Sequence, residues 1–169
     1  MNRRRFLKTG LLGGVALAAG GAWIVWRDVR DADAGIPARD HLAIVVRAVA
    51  PVMLAGSLSD TRPAADVTRI VDGVKTVIAA FPASVQAEVA DLFRLLDFRS
   101  VRRLLTGVAS DWPVAHPQEI AAFLERWRHS RLSLLQSGYF ALHDLILGAW
   151  YADASTWDAL GYAGPPNVE

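Results

Sequence analysis

The sequence predicts an all-α fold: one bundle of five or six helices, residues 35–169, behind an N-terminal signal or anchor segment, residues 1–34. Three observations predict it. After residue 40, apolar residues recur at intervals of three and four in one stretch after another. No stretch alternates as a half-buried strand does, and no fixed-period repeat is visible. Glycine, proline and short polar residues gather at the points where the periodicity breaks.

The elements follow in order. Asp40 is placed to cap a helix carrying Leu42, Ile44, Val45, Val49, Val52 and Met53, which Pro51 should bend or interrupt. Residues 56–63, rich in Gly, Ser, Asp and Thr, read as a loop. A second helix over about 64–80 lines up Val67, Ile70, Val71, Val74, Val77 and Ile78. Its β-branched content competes for a strand, but Asp66, Asp72 and Lys75 break every alternation. Pro82 opens a third helix, striped by Val85, Val89, Leu92, Phe93 and Leu96 and ended by Asp97-Phe98-Arg99. A short helix from Ser100 to Thr106 closes on Gly107, suited to a left-handed cap. Asp111-Trp112-Pro113 and His116-Pro117 mark a loop, with Pro117 in the first turn of the next helix. From Gln118 the stripe Ile120, Phe123, Leu124, Trp127 resumes through Leu135, Tyr139, Leu142, Ile146 and Ala149, and changes near Ser130. Two helices or one bent helix fit it. Asp153 or Ser155 caps a last short helix holding Trp157 and Leu160, and Gly161 to Pro166 ends the pattern.

The N-terminus reads as an address. Asn2-Arg3-Arg4-Arg5-Phe6-Leu7-Lys8 sets an arginine pair, Arg3 and Arg4, before Phe6, Leu7 and Lys8, as the twin-arginine (Tat) export signal does. Thr9 to Trp26 carries no charge and is diluted by five glycines, which lowers its hydrophobicity. Ala32-Asp33-Ala34 is a small-x-small cleavage site. The uncharged run also approaches the roughly 20 residues that span a bilayer, so a retained anchor is the alternative to cleavage.

Composition narrows the function. The chain has 169 residues and no cysteine, so disulfides, thiolate zinc and Cys-ligated clusters or haem are excluded. Residues 1–34 hold six basic and three acidic side chains. Twelve basic and fourteen acidic remain after them, about −2, which argues against a nucleic-acid partner. No Gly-rich loop joins a strand to a helix, so no nucleotide site is expected. His41, His116, His129 and His143 are not spaced as metal ligands. His143 and Asp144 are adjacent on a helix and point about 100° apart, too far for a direct bond of catalytic type. Asp91 and Asp97 read as solvated ion-pair partners, and Arg99, Arg102 and Arg103 as a solvated basic face that also suits an acidic partner surface or anionic lipid. Trp150, Tyr151, Trp157 and Tyr162 crowd the C-terminus before Pro165 and Pro166. They either close the core or anchor a partner.

The segments Phe123 to Arg131, Ala141 to Leu145 and Ala149 to Pro166, the last with its Trp-x-x-x-Gly-Tyr-x-Gly-Pro ending, resemble the gluconate 2-dehydrogenase subunit 3 family. The resemblance implies a helical accessory subunit of a membrane-associated FAD-dependent dehydrogenase of the glucose–methanol–choline type. It implies no catalytic, cofactor or metal residue in this chain, with FAD in the large partner subunit and a cytochrome subunit as electron acceptor. Trp127, Arg131, Trp150, Tyr151, Trp157, Tyr162, Pro165 and Pro166 are the interface candidates. Tat carries folded proteins, so the expectation is a small subunit that escorts its cofactor-loaded partner through the Tat translocase and stays with it in the periplasm. A free-standing periplasmic protein binding a lipid or other hydrophobic ligand is the alternative.

Overall fold

A computed structural model describes residues 39–59, 63–157 and 161–162. These residues form an all-α bundle with six α-helices and no strand among them. The helices are α1 (His41–Met53), α2 (Pro63–Ala79), α3 (Ala83–Asp97), α4 (Arg99–Thr106), α5 (Pro117–Arg128) and α6 (Ser133–Ala152). Two 3₁₀ turns, Trp112–Val114 and Ala154–Thr156, complete the order. The signal, the Ala32–Ala34 site and residues 163–169 lie outside the described residues.

The helix starts obey local chemistry. Asp40 accepts the Ala43 N–H at 2.9 Å and so caps α1. Pro63 and Pro117 occupy first helical positions, where a missing N–H costs nothing. Gly107, at φ 69°, supplies the left-handed cap that ends α4. Between α5 and α6 the chain leaves the helix at residues 129–132, so the stripe read on either side of Ser130 is two helices. One expectation is corrected: Pro51 does not interrupt α1 midway, because it lies in the last turn and the helix runs two residues further to Met53. After α6 the turn Ala154–Thr156 is capped by Asp153, which accepts the Ser155 N–H at 2.9 Å, and Leu160 lies outside the described residues.

α1 is the central element. It touches α2, α3, α5, α6 and the Trp112 turn, and Val45, Val46, Val49 and Ala50 are wholly buried. Each large apolar side chain enclosed around it, Ile70, Phe93, Phe123, Leu142 and Ile146 among them, contributes about 1.5–3 kcal/mol by leaving water. α2 and α6 run antiparallel in the most extensive helix pairing. Gly73 brings them close: a Cβ built there would stand 3.0 Å from that of Ala149. Among the described residues no helix is long and apolar enough to cross a membrane.

A second close approach joins α5 to α6. Trp127 is buried, its Nε1 donates to Leu105 O at 2.9 Å, and its ring meets Phe123 edge-on at 4.9 Å. Gly138 lies against that ring, where an added Cβ would come within 2.5 Å of Cζ3. The indole is held on three sides and has nowhere to retreat. Gly138→Ala is therefore expected to destabilise the bundle by about 1–3 kcal/mol through overpacking. A urea titration would check this, and an unchanged midpoint would contradict it.

Candidate functional site

The structure divides the sequence's interface candidates into two groups. Trp127 and Trp150 belong to the core, so neither offers a surface to a partner. Trp127 packs as described above. Trp150 closes the end of α6, its carbonyl accepting the buried Thr156 hydroxyl at 3.0 Å, while its Nε1 has no hydrogen-bond partner among the described residues. Arg131 is exposed in the α5–α6 connection. Tyr151, Trp157 and Tyr162 come together outside the core. Trp157 and Tyr162 form an edge-to-face pair with centroids 5.4 Å apart, and Trp157 Nε1 donates to Tyr151 O at 2.9 Å. Pro165, Pro166 and the targeting residues lie outside the described residues.

This aromatic cluster has a built base. α6 stops at Ala152 because Asp153 adopts an extended backbone, and its carboxylate then collects the Ser155 N–H, the Ser155 hydroxyl at 2.7 Å and Arg69 Nε at 2.9 Å. Arg69 in turn reaches the buried Asp66 at 2.7 Å, and Asp66 also accepts the Ser59 N–H at 2.7 Å. The turn after α6 is thus pinned to the start of α2. Gly161, at φ 68°, reverses the chain so that Tyr162 N–H donates to Trp157 O at 2.9 Å. Tyr151 and Tyr162 are 55% and 49% exposed. Rings with apolar faces and polar tips, fixed in advance, are suited to packing against another protein at little entropic cost.

Where the start of α1 meets the end of α3 lies a charge cluster whose residues the sequence alone assigns to solvent. Asp97 is buried, not solvated: its side chain is 2% exposed and meets Arg39 Nε at 2.9 Å and His41 Nδ1 at 2.8 Å. Arg102 is no surface residue either. Its side chain is 1% exposed, one Nη donates to Asp111 at 2.6 Å and the other to the Asp97 carbonyl at 3.3 Å. The guanidinium stands 6.0 Å from the centroid of the buried Trp112 ring, whose Nε1 donates to Leu96 O at 3.0 Å. Only Arg99 and Arg103 of this run are exposed. Nothing in the local periodicity reveals this inversion, because Arg102's partners come from other elements.

His143 and Asp144 also depart from expectation, since His143 Nδ1 lies 3.1 Å from Asp144 Oδ1. On an open helix surface the two side chains bend toward each other despite their diverging Cβ directions. The pair is substantially exposed, and among the described residues no nucleophilic hydroxyl is bonded to it. His143 borders a cleft of about 280 Å³ between α1, α5 and α6, lined by Val52, Met53, Leu124, Leu147, Glu125 and Tyr139. Among the described residues, no three His, Asp or Glu side chains converge as a metal site.

Three carboxyls have lowered pKa values. For Asp40 and Asp153 burial opposes ionisation but is outweighed, at Asp40 by Lys75 and the Ala43 N–H, at Asp153 by Ser155 and Arg69. Asp111 is lowered by its hydrogen bond from Arg102 and that residue's charge. A carboxyl held below the ordinary value of 3.8 binds protons less readily when folded. Its stabilisation is complete above that value and disappears as pH falls through the lowered one. Stability should therefore decline below about pH 4, and Asp153→Asn should flatten that decline. An acid limb as steep in the variant would count against the assignment.

The fold and surface define a helical bundle with a prearranged aromatic cluster after α6 and a buried charge cluster between α1, α3 and α4. Comparison with known proteins finds no matching family model, no matching curated protein and no matching solved structure.

Proposed function

We propose that this chain is a non-catalytic small subunit of the gluconate 2-dehydrogenase subunit 3 type. It folds with a cofactor-loaded FAD-dependent dehydrogenase, carries it through the Tat pathway and remains bound in the periplasm. The observation that carries the reading is the exposed cluster of Tyr151, Trp157 and Tyr162, which belongs to the same stretch as the Trp-x-x-x-Gly-Tyr-x-Gly-Pro ending. The resemblance rests on its motifs alone, and the surface supplies an independent reason to expect a protein partner there. The Arg3-Arg4 signal supplies the route.

Affinity purification of the full chain from its native host tests this. A stoichiometric flavoprotein, seen by flavin absorption, is the expected companion, lost when Tyr151 and Trp157 are both replaced by alanine. A lone protein yielding extractable small molecules would favour the second reading, a carrier of a hydrophobic ligand. That reading has its own support in the cleft beside His143, where Val52, Met53, Leu124 and Leu147 share the lining with polar Glu125 and Tyr139, in keeping with an amphipathic molecule.

A further inference from the structure

The end of the bundle remote from the aromatic cluster exposes leucines where a solvated surface would carry polar residues. α4 is inverted: Val101, Arg102 and Thr106 face inward, so Leu104 is left 83% exposed and Leu105 partly so. Leu132, 65% exposed, and Leu134 stand where the chain enters α6. Trp127 ties these two places together, since its indole N–H holds Leu105 O and its ring lies against Gly138 of α6. The Arg126 guanidinium, donating to Thr106 O, makes a second tie.

Arginines flank the leucines along the chain, Arg103 beside Leu104 and Arg131 beside Leu132, with Arg128 one turn earlier. The side chains of Arg103, Arg128 and Arg131 are exposed and make no hydrogen bond or ion pair among the described residues. The acids nearby are occupied: Glu125 faces His129 at 2.9 Å, Asp111 holds Arg102 at 2.6 Å, and Asp97 is closed in by Arg39 and His41. In a domain whose overall balance is slightly acidic, this is a local excess of cation beside exposed aliphatic surface.

We propose that this end is a peripheral membrane-binding face for an anionic phospholipid surface. Leu104 and Leu132 enter the boundary between headgroups and acyl chains, while Arg103, Arg128 and Arg131 engage lipid phosphates through their forked donors. A lipid surface fits better than an acidic protein because the protruding side chains are aliphatic rather than aromatic anchors, and the cleft lined by Tyr139 and His143 lies elsewhere. The inference does not rest on the dehydrogenase assignment. α6 separates this face from the aromatic cluster by about 30 Å, so both can be engaged together.

The chain lacks cysteine, so single-cysteine variants give clean probes. An environment-sensitive fluorophore is placed by Ser133→Cys at the leucine end of α6, and by Ala152→Cys at its other end, in the full chain. The expected result is a blue shift at position 133, and none at 152, on vesicles containing phosphatidylglycerol, with no shift at either on phosphatidylcholine alone. The arginine variant described next keeps the N-terminal run, so a shift caused by insertion of that run alone would persist in it. Replacing Arg103, Arg128 and Arg131 together by glutamate should raise the lipid concentration required by about a hundredfold or more. Circular dichroism checks the fold, and glutamine at the same three positions serves if glutamate unfolds it. A probe at 133 that stays in water on anionic vesicles, an equal shift on neutral ones, or an unchanged lipid requirement in a folded variant would each overturn the proposal. Burial of the 133 probe only by a co-purifying acidic protein would overturn it in favour of a protein contact.

Discussion

Asp111→Ala should destabilise the bundle by about 1–3 kcal/mol, the Asp111 carboxylate itself being largely in solvent, whereas Arg102→Met should cost less. Arg102 is buried with one charged partner, Asp111, one carbonyl at 3.3 Å and an Nε that finds no acceptor. A guanidinium cannot escape by losing its proton, so removing the carboxylate leaves a full charge enclosed beside Trp112. Methionine removes the charge and fills much of the same space. Thermal unfolding followed by circular dichroism should show a fall of several degrees for Asp111→Ala. The double variant should behave like Arg102→Met alone. If the two single variants prove equally damaging, packing rather than charge governs the site.

On the proposed function, replacing Arg3 and Arg4 by lysines abolishes export and leaves the chain in the cytoplasm together with the flavoprotein that this role requires. The Tat route reads the arginine pair itself, so charge-conserving lysines do not substitute for it. Fractionation of cells expressing the variant, with antibodies to both proteins, decides the matter. A partner that still reaches the periplasm when this chain does not would end the carrier role while leaving a later association possible. Loss of both from the periplasm, with the complex intact in the cytoplasm, is the outcome the proposed function requires.

The helical elements were legible because each was encoded locally. Asp40, Pro117 and Gly107 act on the backbone within a turn of themselves, and the stripes of α3 and α5 repeat at the helical interval. The aromatic cluster was legible as composition, but its division was not. Whether Trp150 or Tyr151 turns inward depends on which side of α6 meets α2, a tertiary fact. The buried charges were misread for the same reason. Asp97 is enclosed by residues more than fifty positions away, and Arg102 by a loop nine positions on. The one available hint was Leu104-Leu105 beside arginines in a helix too short to hide both faces. The stretch from Asp111 to Trp112 read as loop, yet Trp112 is among the most enclosed side chains.

The fastening at the start of α1 bears on how the molecule answers a pull. Arg39 and His41 grip Asp97 at the end of α3, and Asp40 grips Lys75 of α2 at 2.6 Å. Traction applied through the residues preceding Arg39 therefore arrives at three consecutive residues tied to two neighbouring helices, and is shared between them before α1 can peel away. A body hauled by its leading end through a narrow passage keeps its shape best when built this way. Asp97→Asn should lower the first rupture force in single-molecule extension from that end, while extension from the other terminus should scarcely notice.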